Sequence, residues 1–351
     1  MLLIDAINVK SRGGSVLLEY LEAALIERKI KFKILRNQET IIRYRVRFNP
    51  LAYFDRTRKI ADAIALYDPH TLLCFGNFPP GRNFSELRTF TYIQSRFFVD
   101  SPAIQSFGFI PRVTIKLKRL YLKSLIRHSE FYIFQTPSIQ KLFIERYDVD
   151  ATECMVLPFF DEESILIAKN KMVTKKVKKE HHSFIYPSGV QTHKNIAQLI
   201  QAWSVLLQEG VRCPLNLMIP DNEQNIELID QIARLNIAGA KIINHGALSH
   251  KRLLRQVYEC SHVIFPSKDE TIGLGIVEGL LMDCEILVSD EPYHLDIVNP
   301  TATFDCDQPT SIAAAVQGVL AGGEQQQSHR IIQNQVQKLI TTLVNSDSTV
   351  H

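Results

Sequence analysis

No apolar run in this 351-residue chain approaches the ~18 residues a membrane-crossing helix needs, which excludes a helical span. Its six cysteines, Cys74, Cys154, Cys213, Cys260, Cys284 and Cys306, show no C-x-x-C spacing. That scatter excludes a zinc ribbon or a dense disulfide framework and reads as reduced, buried thiols of a cytosolic protein. No repeat at a solenoid period is present. Charged residues make up only 22% against 46% hydrophobic, which argues against disorder. The first strand is expected from Leu2, leaving no room for a signal peptide.

What is present is length for two domains of roughly 150 residues and a charge that is unevenly placed. The net +3 hides 24 Lys and Arg against 15 Asp and Glu in residues 1–160, and 10 against 18 in residues 183–351. A basic first half beside an acidic second half suggests that the first meets something anionic. Short apolar runs alternate with helical patterns, which argues for parallel α/β layers. Strands are expected at 2–7, 32–35, 71–75, 89–93, 131–134 and 155–157, then at 183–186, 215–219, 241–244, 262–265, 285–288 and 302–304. Val16–Glu27 spaces its apolar residues by three and four, as a helix does. Between the halves, residues 161–182 are lysine-dense and polar after Ile167, which reads as an exposed linker. After Gly322 comes a polar break, then an amphipathic helix near Ile331–Leu343.

The densest chemistry lies in FPSKDETIGLGIVEG, Phe265–Gly279. It reads as a strand end, a polar loop, two glycines and a helix start, with Glu270 and Glu278 eight positions apart. Gly273 and Gly275 would let backbone N–H groups approach an anion closely, aided by the positive end of a helix from Leu274. Two ionised carboxylates, acceptors only, suit vicinal hydroxyls on either side of a phosphate. A turn that only tightens the chain fits the same pattern.

This segment resembles the E-x7-E signature of group 1 (family 4) retaining glycosyltransferases of the GT-B fold. The resemblance extends through Val263–Ser267, Gly246–Tyr258 and Ile286–Val298, to YPSGVQTHKN (Tyr186–Asn195) and to LLIDAINVKSRGGS (Leu2–Ser15). It implies two Rossmann-like domains facing each other across a cleft: an acceptor-side domain over 1–160, the linker 161–182, a nucleotide-sugar domain over 183–322, and a C-terminal helix and tail over 323–351. It implies that Lys194 neutralises the donor diphosphate, that Glu270 meets the transferred sugar and that Glu278 takes the ribose hydroxyls. Backbone groups of Ile272, Gly273, Leu274 and Gly275 would hold sugar and phosphate. Those of Gly246, Ala247 and Leu248 would hold the base, and Gly13 and Gly14, just before the first helix, would complete the donor site. Gln94, Arg96 and Asn77 are candidates for the acceptor. No cofactor or metal is implied beyond the nucleotide-diphosphate sugar as co-substrate, and no nucleic acid as partner.

Three departures from the family pattern stand out. The arginine usual five or six residues before the lysine is replaced by Ser188 and Gly189, with Arg12 or Arg96 as substitutes. The loop FGLP becomes IGLG, and the histidine common near Gln94 is missing. The family's usual role suggests a lipid-linked saccharide acceptor in surface polysaccharide or O-antigen assembly at the inner face of the membrane. A basic amphipathic segment, residues 111–132, either touches anionic lipid or packs its apolar face in the core. Asp305-Cys306-Asp307 invites a metal, but acids near a helix start explain it better. An epimerase, a phosphorylase or a non-catalytic binding protein on the same fold are the rival readings.

Overall fold

A computed structural model describes residues 1–9, 12–36, 50–100, 104, 107–322 and 326–345. The chain divides into two compact units, Met1–Phe160 with Gln333–His351, and Asp161–Ile332.

The first unit is built on a six-stranded parallel sheet. Its strands are β1 (Leu2–Asp5), β2 (Phe32–Leu35), β3 (Thr71–Cys74), β4 (Arg88–Tyr92), β5 (Phe131–Phe134) and β6 (Cys154–Val156), in the order β2-β1-β3-β4-β5-β6. Strands β1 and β3 are buried throughout, as expected of parallel strands covered on both faces. Helices α1 (Arg12–Glu27), α2 (Pro50–Tyr67), α3 (Phe109–Leu125) and α4 (Pro137–Tyr147) connect them. One ion pair sits inside this unit. Asp5, at the end of β1, accepts from Arg56 Nε at 2.7 Å, and Arg56 also donates to the carbonyls of Phe78 and Pro79 at 2.7 and 2.9 Å. Both side chains are 1% exposed.

The stretch expected as a linker is ordered differently. Residues Glu162–Thr174 form α5 and Glu180–Ile185 form β7, the central strand of the second sheet. Asp161 caps α5 by accepting from Ser164 N at 3.0 Å, while Ile165 and Met172 lie buried along one face. Two of the lysines that suggested solvent, Lys169 and Lys179, have anchors, while Lys171, Lys175, Lys176 and Lys178 are exposed. Lys169 pairs with Asp283 at 2.7 Å, and Lys179 Nζ donates to the carbonyls of Asp283 and Cys260 at 3.0 and 3.2 Å. A lysine stem covers apolar surface while its ammonium finds oxygen, so lysine density alone does not mark a linker.

The second unit holds β8 (Leu215–Leu217), β9 (Ile242–Asn244), β10 (Cys260–Phe265), β11 (Glu285–Ser289) and β13 (Ala302–Phe304) around β7, in the parallel order β13-β11-β10-β7-β8-β9. A small antiparallel pair joins β12 (Val298–Asn299) to β14 (His329–Arg330). Helices α6 (Ile196–Gln208), α7 (Ile226–Ile237), α8 (His250–Glu259), α9 (Leu274–Leu281), α10 (Pro292–Leu295) and α11 (Pro309–Leu320) complete it. Helix α6 buries Ile196, Leu199, Ile200, Ala202, Trp203 and Leu206. Each large side chain so buried stabilises by about 1.5–3 kcal/mol.

The tail expected as a separate element over 323–351 is divided. From Gln333 the chain belongs to the first unit, where α12 (Val336–Val344) packs against α1 and β3. Asn334 Nδ2 donates to Tyr20 Oη and to the carbonyl of Phe160, at 3.0 and 2.8 Å. All six cysteines are buried free thiols.

Candidate active site

In the second sheet the chain moves from β7 to β8 and β9 on one side, then returns to β10 and β11 on the other. The order therefore reverses between β7 and β10. At such a switch point neighbouring loops leave in opposite directions and open a crevice at the carboxyl ends of the strands. Lys194 lies on the loop after β7 and Glu270 on the loop after β10.

These two side chains form an ion pair, Lys194 Nζ donating to Glu270 Oε1, with side chains 15% and 13% exposed. Burial pushes the Glu270 carboxyl upward, but the adjoining ammonium outweighs it and holds the group below its ordinary range. Glu270 is therefore an anion at neutral pH. The two loops are tied at the backbone, Lys268 N donating to the His193 carbonyl at 2.8 Å. Ser267, fully buried, presents its hydroxyl 3.0 Å from Glu270 Oε1. Its carbonyl accepts from Ser289 Oγ at 2.8 Å and from Tyr293 Oη at 3.0 Å. The serine of FPS thus anchors the loop, a role sequence reading passed over.

Lys194 ends a short 3₁₀ turn, Thr192–Lys194. Asn195, in left-handed backbone at φ 58°, follows before α6 begins. Asparagine tolerates that conformation well, and its Nδ2 donates to the Cys306 carbonyl at 2.5 Å. The ammonium also lies 5.9 Å from the centre of the Phe265 ring. His193 beside it is driven down to about 4, chiefly by burial and then by Lys194, and is neutral at pH 7.

Glu278 projects from α9, 6% exposed, and its Oε1 lies 2.7 Å from His250 Nε2. His250 opens α8, directly after the loop Gly246–Leu248 that follows β9. The acid assigned to ribose and the loop assigned to the base are thus joined through one histidine. Gly246 holds φ 66° and donates its N–H to Asn244 Oδ1 at 3.1 Å. Only the neighbouring LSH run, within the matching segment, could have signalled His250.

The two glycines of the loop do different work. Gly273 has φ 52° and caps α9. At Gly275 a Cβ would meet Pro187 Cγ at 2.8 Å and Phe265 at 3.0 Å. Its bareness lets α9 press onto the loop after β7. Ile272 is buried at 5% and Leu274 is the first residue of α9.

In the first unit the order reverses between β1 and β3. Gly13 and Gly14 fall within the first turn of α1 rather than ahead of it, because the helix starts at Arg12. Asn77 follows β3 with φ 71°, and its Oδ1 accepts from Gln94 N at 2.6 Å. Gln94 Nε2 donates to the Phe75 carbonyl at 2.7 Å, so these two candidates meet. Arg96 is 7% exposed and donates to the Asp100 carbonyl at 2.8 Å, bracing its own turn.

Asp305, Cys306 and Asp307 form the group of potential metal ligands found among the described residues. Asp305 Oδ1 accepts from Asp307 N at 2.9 Å, and Asp307 pairs with Lys268. They precede α11, whose cap is Gln308.

A sequence model described as glycosyl transferases group 1 matches residues 168–338. Over that stretch, which spans most of the second unit, the chain is similar to the group 1 glycosyl transferases. The match starts inside α5 and carries Lys194, Glu270 and Glu278. No curated protein gives a match by sequence. Solved structures share the GT-B fold of this chain at low identity. The Anabaena protein HepE, solved with UDP and glucose, is 14% identical with a TM-score of 0.57, over 91% of this chain and 89% of that one. Sucrose-phosphate synthase of Thermosynechococcus elongatus is 12% identical with a TM-score of 0.67, over 91% and 89%. A UDP-forming α,α-trehalose-phosphate synthase of Burkholderia vietnamiensis is 12% identical at 0.67, over 92% of each chain. At such identity they speak for the fold alone. Among the described residues no helix is long and apolar enough to cross a membrane.

Proposed function

We propose that this protein is a retaining, metal-independent glycosyltransferase that takes a sugar from a nucleotide-diphosphate sugar. Its acceptor is a saccharide or lipid-linked saccharide in surface polysaccharide (O-antigen or capsule) synthesis, at the cytoplasmic face of the membrane. The observation that carries the reading is the Lys194–Glu270 pair at the switch point of the second sheet. An ammonium there meets a diphosphate whose charge grows as it leaves, and stabilisation aimed at developing charge lowers the barrier. Glu270, kept ionised, takes hydroxyls of the transferred sugar, and Glu278 those of the ribose.

The bond from the anomeric carbon to the phosphate oxygen breaks as the acceptor hydroxyl approaches on the same face. The electron pair passes to the diphosphate, which accepts the acceptor's proton. This front-face course follows from the family resemblance, and Lys194 provides the charge it requires without a metal ion. The UDP in the Anabaena complex makes uridine donors the first to try.

Calorimetric titration with nucleotide diphosphates and their sugars tests the site. A cognate nucleotide at 100 times its dissociation constant should stabilise the fold by about 2.7 kcal/mol, and Glu278→Ala should weaken it at least tenfold. Undiminished donor binding by that variant, or turnover of donor to an epimer without acceptor, would overturn the assignment.

A further inference from the structure

Helix α3 settles its apolar residues on two faces. Ile115, Leu122 and Leu125 are buried. On the other side Phe109, Ile110, Val113, Leu117 and Leu120 stand in water, exposed by 81%, 71%, 37%, 43% and 65%. At 3.6 residues per turn these five fall within about 100° of arc. Beside them on one flank lie exposed Arg112, Lys116 and Lys123. Helix α2 adds Phe54, 74% exposed, next to Tyr53, whose ring lies 4.6 Å from that of Tyr121 on α3. Between Asp100 and Glu130 the chain contains no acidic residue.

An exposed apolar stripe of this kind needs an occupant. A second copy of the chain suits it poorly, since a two-fold contact through the stripe sets its flanking lysines against the lysines of the other copy. Nucleic acid would answer the lysines and leave the leucines wet. We infer that this face of α3 docks on an anionic phospholipid surface, with Phe109, Ile110, Val113, Leu117 and Leu120 entering the acyl boundary and Lys116 and Lys123 at the headgroups. The inference rests on the membrane-face reading above and names the surface that would reach it. Apolar insertion and headgroup attraction together are what hold an amphipathic helix in the interface plane.

The test is flotation of the full chain with vesicles of phosphatidylcholine, alone or mixed with phosphatidylglycerol, with UDP binding measured on the same samples. Binding is expected only to the mixed vesicles and should weaken as salt rises. Each basic residue near such a surface is worth roughly a fivefold change in partition. The double variant Lys116→Glu/Lys123→Glu should therefore bind at least about 25-fold less. Leu117→Gln/Leu120→Gln should also fall out of the vesicle fraction, with its thermal midpoint unchanged because both side chains already face water. Equal binding to neutral vesicles, or wild-type partition by both double variants, would overturn the inference. So would a dimer in solution that Leu117→Gln/Leu120→Gln dissociates. Vesicle binding without any nucleotide binding would leave α3 as the docking face and remove the donor site instead.

Discussion

Among the described residues each unit keeps an ion pair out of bulk water beside its sheet, and the two are built for different ends. In the first, Arg56 is enclosed with Asp5 at 1% exposure, its remaining donors taken by two backbone carbonyls. Burial alone would weaken its protonation, yet the carboxylate beside it raises its affinity for the proton. Nothing is left for a ligand. In the second, Lys194 and Glu270 keep 15% and 13% exposure and sit on loops rather than on a strand and a helix. A saturated buried pair serves as a brace, whereas a pair with a route to solvent can exchange its partner for a phosphate. A cation–carboxylate couple is therefore a brace in one place and, under the proposed function, a ligand site in the other.

That contrast can be broken experimentally. Arg56→Ala should destabilise the first unit by about 3–5 kcal/mol, because it strands the Asp5 carboxylate in the interior. Chemical denaturation followed by circular dichroism measures it. The paired change Asp5→Leu/Arg56→Met should recover much of that loss, since a well-packed apolar pair often replaces a buried ion pair. Failure to recover would mean that Asp5 does more than bind Arg56.

Lys194→Ala sharpens the other side. Transfer should fall by roughly 10²–10³-fold, the usual effect of removing one donor from developing charge. No companion substitution at Glu270 should restore it, and recovery in Lys194→Met/Glu270→Leu would make this pair a brace too. Gly275→Ala tests the support beneath it. A methyl group driven against Pro187 and Phe265 should cost about 1–3 kcal/mol, read in the thermal midpoint of the second unit.

The units should also differ in acid tolerance. His193 and His262 in the second unit are both lowered from 6.5 to about 4, chiefly by burial. In the unfolded chain they take protons from about pH 6.5 downward, in the fold only near pH 4. Stability of the second unit should therefore fall as pH drops through that window, by roughly 1–3 kcal/mol per histidine. The depressed Glu270 acts in the same direction at lower pH, its contribution being lost as the carboxylate protonates. Trp203, the one tryptophan, lies in this unit and reports its unfolding by fluorescence. A flat midpoint between pH 6.5 and 4 would contradict the burial of those imidazoles.

Much of this was readable in one dimension. The apolar runs marked β1, β3, β10 and β11 because strands covered on both faces must be continuously apolar, whatever lies beside them. Lys194, Glu270 and Glu278 were visible because their residue types and spacing match a known family. Other features were decided only when the chain folded. Lysine density suggested a linker where α5 and β7 form, since only tertiary contacts supply Asp283 and Cys260 as anchors for Lys169 and Lys179. Arg56 carries no local signal, and His250 and Ser267 only that of the short runs they end; each matters through a partner brought from another segment by the sheet order. Composition and periodicity determine which segments become strands and helices, because those depend on neighbours along the chain. Which charges meet, and whether water still reaches them, depends on neighbours across it.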